Sequence, residues 1–122
     1  DGTFEAERTS AHVAVMPWGA SKGSVREAYE LLLADGADVG WYYTMFVNPL
    51  PPAMLNDLRS KELVIVPERN YQGQMAIKLR PLGVNAEAIT QYTGLPFRTT
   101  ELAKRIKQRL AEAGERTQAV NA

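Results

Sequence analysis

Leu63-Val64-Ile65-Val66 is a run of four aliphatic residues, and three of them are β-branched. Successive side chains of a strand point to opposite faces, so a strand of this composition is apolar on both sides. That suits the centre of a parallel sheet covered by helices. The run ends at Pro67 and gives way to a polar loop, Glu68-Arg69-Asn70-Tyr71-Gln72-Gly73. The rest of the chain is read outward from this strand.

On its amino-terminal side, residues 53–60 form a short helix with Met54, Leu55 and Leu58 inward. It follows the turn Asn48-Pro49-Leu50-Pro51-Pro52, and Pro52 takes the first helical position, where its missing N–H is harmless. Residues 38–46 are rich in aromatic side chains and fit a strand. Trp41 and Tyr43 share one face and Tyr42 takes the other, so one face is expected in the core and the other against a partner subunit. Residues 24–34 carry the amphipathic stripe Val25, Ala28, Tyr29, Leu32, Leu33. Ser21 or Ser24 is the expected N-cap, with Glu27 completing a capping box in the second case, and Gly36 is the stop. His12-Val13-Ala14-Val15-Met16 reads as a buried strand ended by Pro17. Residues 1–11 are either an edge strand or a disordered leader.

On the carboxyl side, residues 74–80 form a helix with Met75, Ile77 and Leu79 inward, ended by Pro81. Residues 84–89 make a weaker strand. After the loop Thr93-Gly94-Leu95-Pro96-Phe97, Thr99 or Thr100 caps a last helix with Leu102, Ala103, Ile106 and Leu110 inward. Residues 114–122 are expected to fray. Strands alternate with helices throughout, which predicts an α/β fold: a mostly parallel sheet between two helix layers. The expected division is an edge strand or leader at 1–11, one domain at 12–113 and a tail at 114–122.

Composition narrows the function. With 122 residues, 45% hydrophobic, the chain makes one domain. Fourteen Lys and Arg balance fourteen Asp and Glu, which argues against nucleic acid or an anionic membrane as partner. There is no apolar run long enough to span a membrane, and the start does not resemble a signal peptide. A cytoplasmic location is expected. The chain does not begin with Met, so a fragment or a processed protein is expected. Cysteine is absent, which excludes disulfides and Cys-ligated clusters within the chain. A lone histidine, His12, cannot build a His-based metal site and reads as a partly exposed polar residue.

Functional loops should gather at the carboxyl ends of parallel strands. Gly19-Ala20-Ser21-Lys22-Gly23 is either a tight strand-to-helix turn or an anion site at a helix start, but it matches neither a P-loop nor a dinucleotide fingerprint. Asn48-Pro49-Leu50-Pro51-Pro52 is chemically inert. The 67–74 loop offers Glu68, Arg69, Asn70, Gln72 and Gln74. Glu68 as a base lacks a nearby His or second acid, so docking or bonding to its own backbone is the favoured use. Lys104, Arg105, Lys107 and Arg109 give the last helix a basic, solvated face.

The same loops resemble a known family. Val15-Met16-Pro17-Trp18-Gly19-Ala20-Ser21-Lys22-Gly23, Asn48-Pro49-Leu50-Pro51, Val64-Ile65-Val66-Pro67-Glu68-Arg69-Asn70-Tyr71-Gln72-Gly73-Gln74-Met75 and Tyr92-Thr93-Gly94-Leu95-Pro96-Phe97 are similar, in this order, to segments of 2-oxoacid:ferredoxin oxidoreductase α subunits. The segment through Glu68 and Gln74 is the most specific. Ala20, Arg69 and Met75 depart from the usual Ser, uncharged residue and Leu. The resemblance implies a transketolase C-terminal-like domain with a five-stranded mixed sheet, the leader strand antiparallel. It implies an enzyme that converts a 2-oxoacid and coenzyme A to acyl-CoA and CO2 and passes a pair of electrons to ferredoxin. Thiamine diphosphate, Mg2+ and iron–sulfur clusters would serve the full enzyme, none of them held by this chain. No catalytic, cofactor-binding or metal-binding residue is therefore expected here. The implied partners are the remaining domains of the α subunit and the β subunit, with ferredoxin reached through the whole enzyme. Ser21, Lys22, Glu68, Asn70 and Gln74 are the candidate docking or anion-binding residues. The alternatives are an independent organic-anion-binding module, the C-terminal domain of another thiamine enzyme, and a stand-alone interaction protein.

Overall fold

The computed structural model of the chain describes residues 3–45, 49–68, 74–90 and 98–121, leaving aside the side chains of Ala20 and of residues 115–121. In chain order the elements are β1 (Glu5–Glu7), β2 (Val13–Val15), α1 (Lys22–Ala34), β3 (Gly40–Tyr43), α2 (Pro52–Arg59), β4 (Leu63–Glu68), α3 (Gln74–Leu79), β5 (Ala86–Thr90) and α4 (Thr99–Asn121). Single 3-10 turns lead into α1 at Gly19–Ser21 and follow α3 at Arg80–Leu82.

The strands form one sheet in the order β1-β3-β2-β4-β5. β2, β3, β4 and β5 run parallel; β1 is antiparallel to β3, pairing Glu5 with Tyr43 and Glu7 with Trp41. The aliphatic run thus lies between two parallel neighbours, as its composition requires, and every residue of β4 is buried.

Strand alternation sorts the core into two layers. Val13, Val15, Trp41, Leu63 and Ile65 meet Val25, Ala28, Tyr29 and Leu32 of α1 and Leu102 and Ile106 of α4. Ala14, Met16, Tyr42, Val64 and Val66 meet Met54 and Leu58 of α2 and Met75, Ala76 and Leu79 of α3. Helices therefore cover both faces of the mixed sheet, as expected. The connection from β2 to β3 places α1 on one face. The connections from β3 to β4 and from β4 to β5 place α2 and α3 on the other, as right-handed crossovers dictate when the strand order reverses.

Several local expectations are corrected. β4 continues through Pro67 to Glu68. The N–H of Met16 bonds to the Ile65 carbonyl, so odd-numbered residues of β4 face β2. The N–H of Val64 bonds to the Asn85 carbonyl, so even-numbered ones face β5. The donor that Pro67 lacks would point to the β2 side, where β2 has already ended, and the proline removes no ladder bond. Ser21, not Ser24, occupies the N-cap position of α1, but it follows a 3-10 turn and its side chain makes no capping bond. Ile77 is exposed, because α3 buries Met75, Ala76 and Leu79 and the helical turn puts Ile77, two residues after Met75, on the far side. Trp41 and Tyr42 are both fully buried, one in each layer, so neither is open to a partner, while Tyr43 is half-buried. Phe46, Asn48 and the 93–97 loop lie outside the described residues.

The 1–11 stretch contains the edge strand. All three residues of β1 are exposed, so charge rather than apolar burial ties it to α1. Lys22 Nζ donates to Glu5 Oε2 at 2.7 Å. The Arg26 guanidinium binds Glu7 and, at 2.9 Å, Glu30, and lies over the Trp41 ring at 4.9 Å. Trp41 Nε1 donates to Glu5 Oε1 at 3.2 Å. At the opposite edge, outward-facing carbonyls of β5 are capped by guanidinium groups: Arg80 on Ala86 at 2.9 Å and Arg105 on Thr90 at 3.2 Å.

Candidate docking edge

β2 and β4 are neighbours whose onward connections leave in opposite directions, to β3 and to β5. Such a switch point opens a crevice at the carboxyl ends of the strands. The two loops that hold Ser21, Lys22, Glu68, Asn70 and Gln74 both start there.

Ser21 is buried, and its hydroxyl proton is shared between the Trp18 carbonyl at 2.8 Å and the Pro67 carbonyl at 3.3 Å. The Pro67 oxygen points past the end of β2, so Ser21 replaces the ladder partner that the strand no longer supplies. This stitches the loop after β2 to the end of β4. Lys22 turns its ammonium to Glu5 and stands 4.2 Å from the centre of the Tyr43 ring. The cation that an anion site would use is thus held by a carboxylate and an aromatic face.

Glu68 is fully buried at the end of β4. Its Oε1 accepts the Met75 N–H at 2.8 Å and its Oε2 accepts the Ala76 N–H at 3.2 Å. These are N–H groups of the first turn of α3, which have no partner within the helix. Burial pushes the Glu68 carboxyl above the usual carboxylate range, against the pull of those two N–H groups and of Arg80. Gln74, the first residue of α3, is exposed. Asn70 lies outside the described residues.

The structure therefore brings Ser21 and Glu68 together around Pro67 and sets Gln74 outside them. Acid–base chemistry has no support in this arrangement. Both Glu68 oxygens are occupied, and the lone histidine, His12, is exposed at the opposite end of the sheet, just before β2. Thiamine diphosphate with Mg2+ requires an anion cradle and oxygen ligands. At this edge the Ser21 hydroxyl and the Glu68 carboxylate already serve backbone groups of the chain itself. Among the described residues no group of three or more His, Cys, Asp or Glu side chains can hold a metal. Ser21 and Glu68 are thus already engaged within the chain.

Sequence reasoning missed Lys61. Its ammonium is buried beneath the 8–11 turn, donating to the Ala11 carbonyl at 2.7 Å and to the Thr9 carbonyl, with the Tyr42 ring 5.6 Å away. Those acceptors are about fifty positions away in sequence, and no local pattern marks a lysine for such a role. A cleft of about 790 Å³ at the amino ends of the strands, lined by His12, Glu62, Lys107 and Leu110 among others, was equally invisible.

No family profile matches the chain. Curated relatives do. The 2-oxoglutarate oxidoreductase subunit KorA of Mycobacterium tuberculosis is 30% identical over 102 residues, covering 83% of this chain. The α subunit of 2-oxoacid:ferredoxin oxidoreductase 2 of Aeropyrum pernix is 30% identical over 110 residues, covering 88%. A solved 2-oxoglutarate:ferredoxin oxidoreductase from Magnetococcus marinus, with 2-oxoglutarate, coenzyme A and succinyl-CoA bound, superposes with a TM-score of 0.78 at 32% identity over 88% of the chain. This chain is homologous to a segment of 2-oxoacid:ferredoxin oxidoreductase α subunits. The match spans 16% and 17% of the two curated relatives and 20% of the solved chain. The chain is thus similar to a small part of much larger oxidoreductase subunits. Among the described residues no helix is long and apolar enough to cross a membrane.

Proposed function

We propose that the chain is a non-catalytic docking domain, the C-terminal domain of the α subunit of a thiamine-dependent 2-oxoacid:ferredoxin oxidoreductase. The whole enzyme converts a 2-oxoacid and coenzyme A to acyl-CoA and CO2 and passes a pair of electrons to ferredoxin. Thiamine diphosphate, Mg2+ and iron–sulfur clusters belong to other parts of it, and the assembly works in the cytoplasm. The observation that carries this reading is the match in sequence and fold to one segment of the α subunits.

The role of the domain is positional. The edge formed by residues 17–23 and 67–74 seats against the thiamine-binding domains and the β subunit. Holding those parts in register contributes to rate, because small displacements at a reacting centre are costly. Gln74 is its exposed contact residue beside Ser21, Lys22 and Glu68, and Asn70 is assigned the same contact role from the sequence. The Gly19–Gly23 turn, with Lys22 engaged by Glu5, gives the independent anion-binding alternative no support.

The test compares the assembled enzyme with the isolated chain, following ferredoxin reduction driven by a 2-oxoacid and coenzyme A. The isolated 122-residue chain is expected to be inactive. Asn70→Ala and Gln74→Ala in the assembled enzyme are expected to weaken subunit association or lower the rate about tenfold each, the scale of one or two lost interfacial hydrogen bonds. Turnover by the isolated chain, or wild-type assembly and rate in both variants, overturns the proposal.

A further inference from the structure

We propose that Glu68 is a positioning residue of this edge, not one of its contact residues: its carboxylate ties the end of β4 to the first turn of α3. The idea rests on the docking reading above and specifies how that edge is held.

The geometry gives Glu68 one use. Its residue is fully buried, so a partner arriving from outside does not meet its side chain. Each oxygen takes one N–H from consecutive residues of α3, at 2.8 and 3.2 Å. The six residues of α3 are too few to hold themselves together, because nucleating a helical turn is unfavourable in isolation. Met75, Ala76 and Leu79 anchor one side of α3 in the core. The carboxylate fixes where α3 begins, and hence where the exposed Gln74 stands.

Ser21 completes the arrangement. Its hydroxyl bonds to Pro67, the residue beside Glu68, so the turn after β2 and the start of α3 are both fastened to the last two residues of β4. One strand end thereby sets the relative position of both candidate loops. A substitution at Glu68 therefore reaches a partner indirectly, by displacing Gln74.

The experiment uses Glu68→Gln in the full α subunit, with two readouts. Glutamine keeps the volume but offers one acceptor oxygen and places an NH2 group against an N–H. The first readout is amide hydrogen exchange at Met75 and Ala76. It is expected to accelerate about tenfold, the scale of one charge-assisted hydrogen bond lost, while the amides of β2 and α1 stay at wild-type rates. The second is association of the subunit with its partner, expected to weaken about tenfold, with rescue by neither salt nor excess 2-oxoacid. Unchanged exchange at Met75 and Ala76 overturns the positioning role. Faster exchange with unchanged association upholds the positioning role and overturns the docking reading instead. If the variant does not fold, the wild-type subunit still decides the matter. The Met75 and Ala76 amide proton resonances are expected to move with pH along one shared titration curve, that of the carboxylate they bind, and separate or absent titrations overturn the proposal.

Discussion

Among the described glycines, Gly40 has the least room for a side chain. A Cβ there would stand 2.9 Å from the Arg8 carbonyl oxygen and 3.3 Å from that of Glu7, both backbone atoms that cannot rotate aside. Gly40→Ala is expected to lose about 1–3 kcal/mol, the usual cost of forcing extra volume into a packed site. A urea titration checks this, and an unchanged midpoint would mean that β1 gives way freely. Glu68 makes the second prediction at this scale. An acid whose folded-state value is raised gives up its proton less readily in the native state than in the unfolded one. Its contribution to stability is therefore greatest in acid and is lost as pH rises from the ordinary glutamate value through the raised one. Glu68→Gln should remove that part of the pH dependence. Urea midpoints across the acid-to-neutral range should fall more steeply for the wild type than for the variant, and parallel slopes would contradict the assignment.

At the scale of elements, β1 depends on charge. Its three side chains are exposed, and the Arg26 guanidinium joins Glu7, Glu30 and the Trp41 ring in one cluster. A lone exposed ion pair contributes little. Arg26 is an exception because it is shared and stacked, so Arg26→Ala is expected to lower stability by about 1–2 kcal/mol, less in molar salt. Equal losses at low and high salt would show that packing, not charge, holds the strand. The kinds of element were legible in the sequence because periodicity is a local signal: the Val25, Ala28, Tyr29, Leu32 stripe and the Leu63-Val64-Ile65-Val66 run behave as read. Their ends were not legible, because distant partners decide them. Ser21 stands at the N-cap of α1, but its hydroxyl serves the Pro67 carbonyl, 46 positions away, instead of the helix N–H groups. Pro67 stays in β4 because β2 has stopped beside it. Ile77 was expected inward with Met75 and Leu79, but a spacing of two is not the helical period, and Ile77 lies on the side away from them.

For the whole molecule, the layered parallel sheet and the gathering of loops at its carboxyl edge followed from the alternation of strands and helices; the strand order that puts a switch point between β2 and β4 did not. The order of the loops along the chain exposed the family resemblance. The inward orientation of Glu68 was not legible, since a carboxylate in a polar loop and one buried under a helix read alike in one dimension. The burial of both Trp41 and Tyr42 was hidden for a similar reason: alternation says that they part, not that both sides are covered. That parting gives the protein a built-in optical assay. The chain has two tryptophans: Trp41 sits in one layer beside Tyr29, ring centres 5.3 Å apart, and Trp18 packs partly buried against the other. Replacing either with phenylalanine leaves a fluorophore that reports on a single side of the sheet. If both sides melt together, the emission curves of the two variants superimpose once scaled for stability; a lag between them would mean that one helix layer peels away while the other still holds.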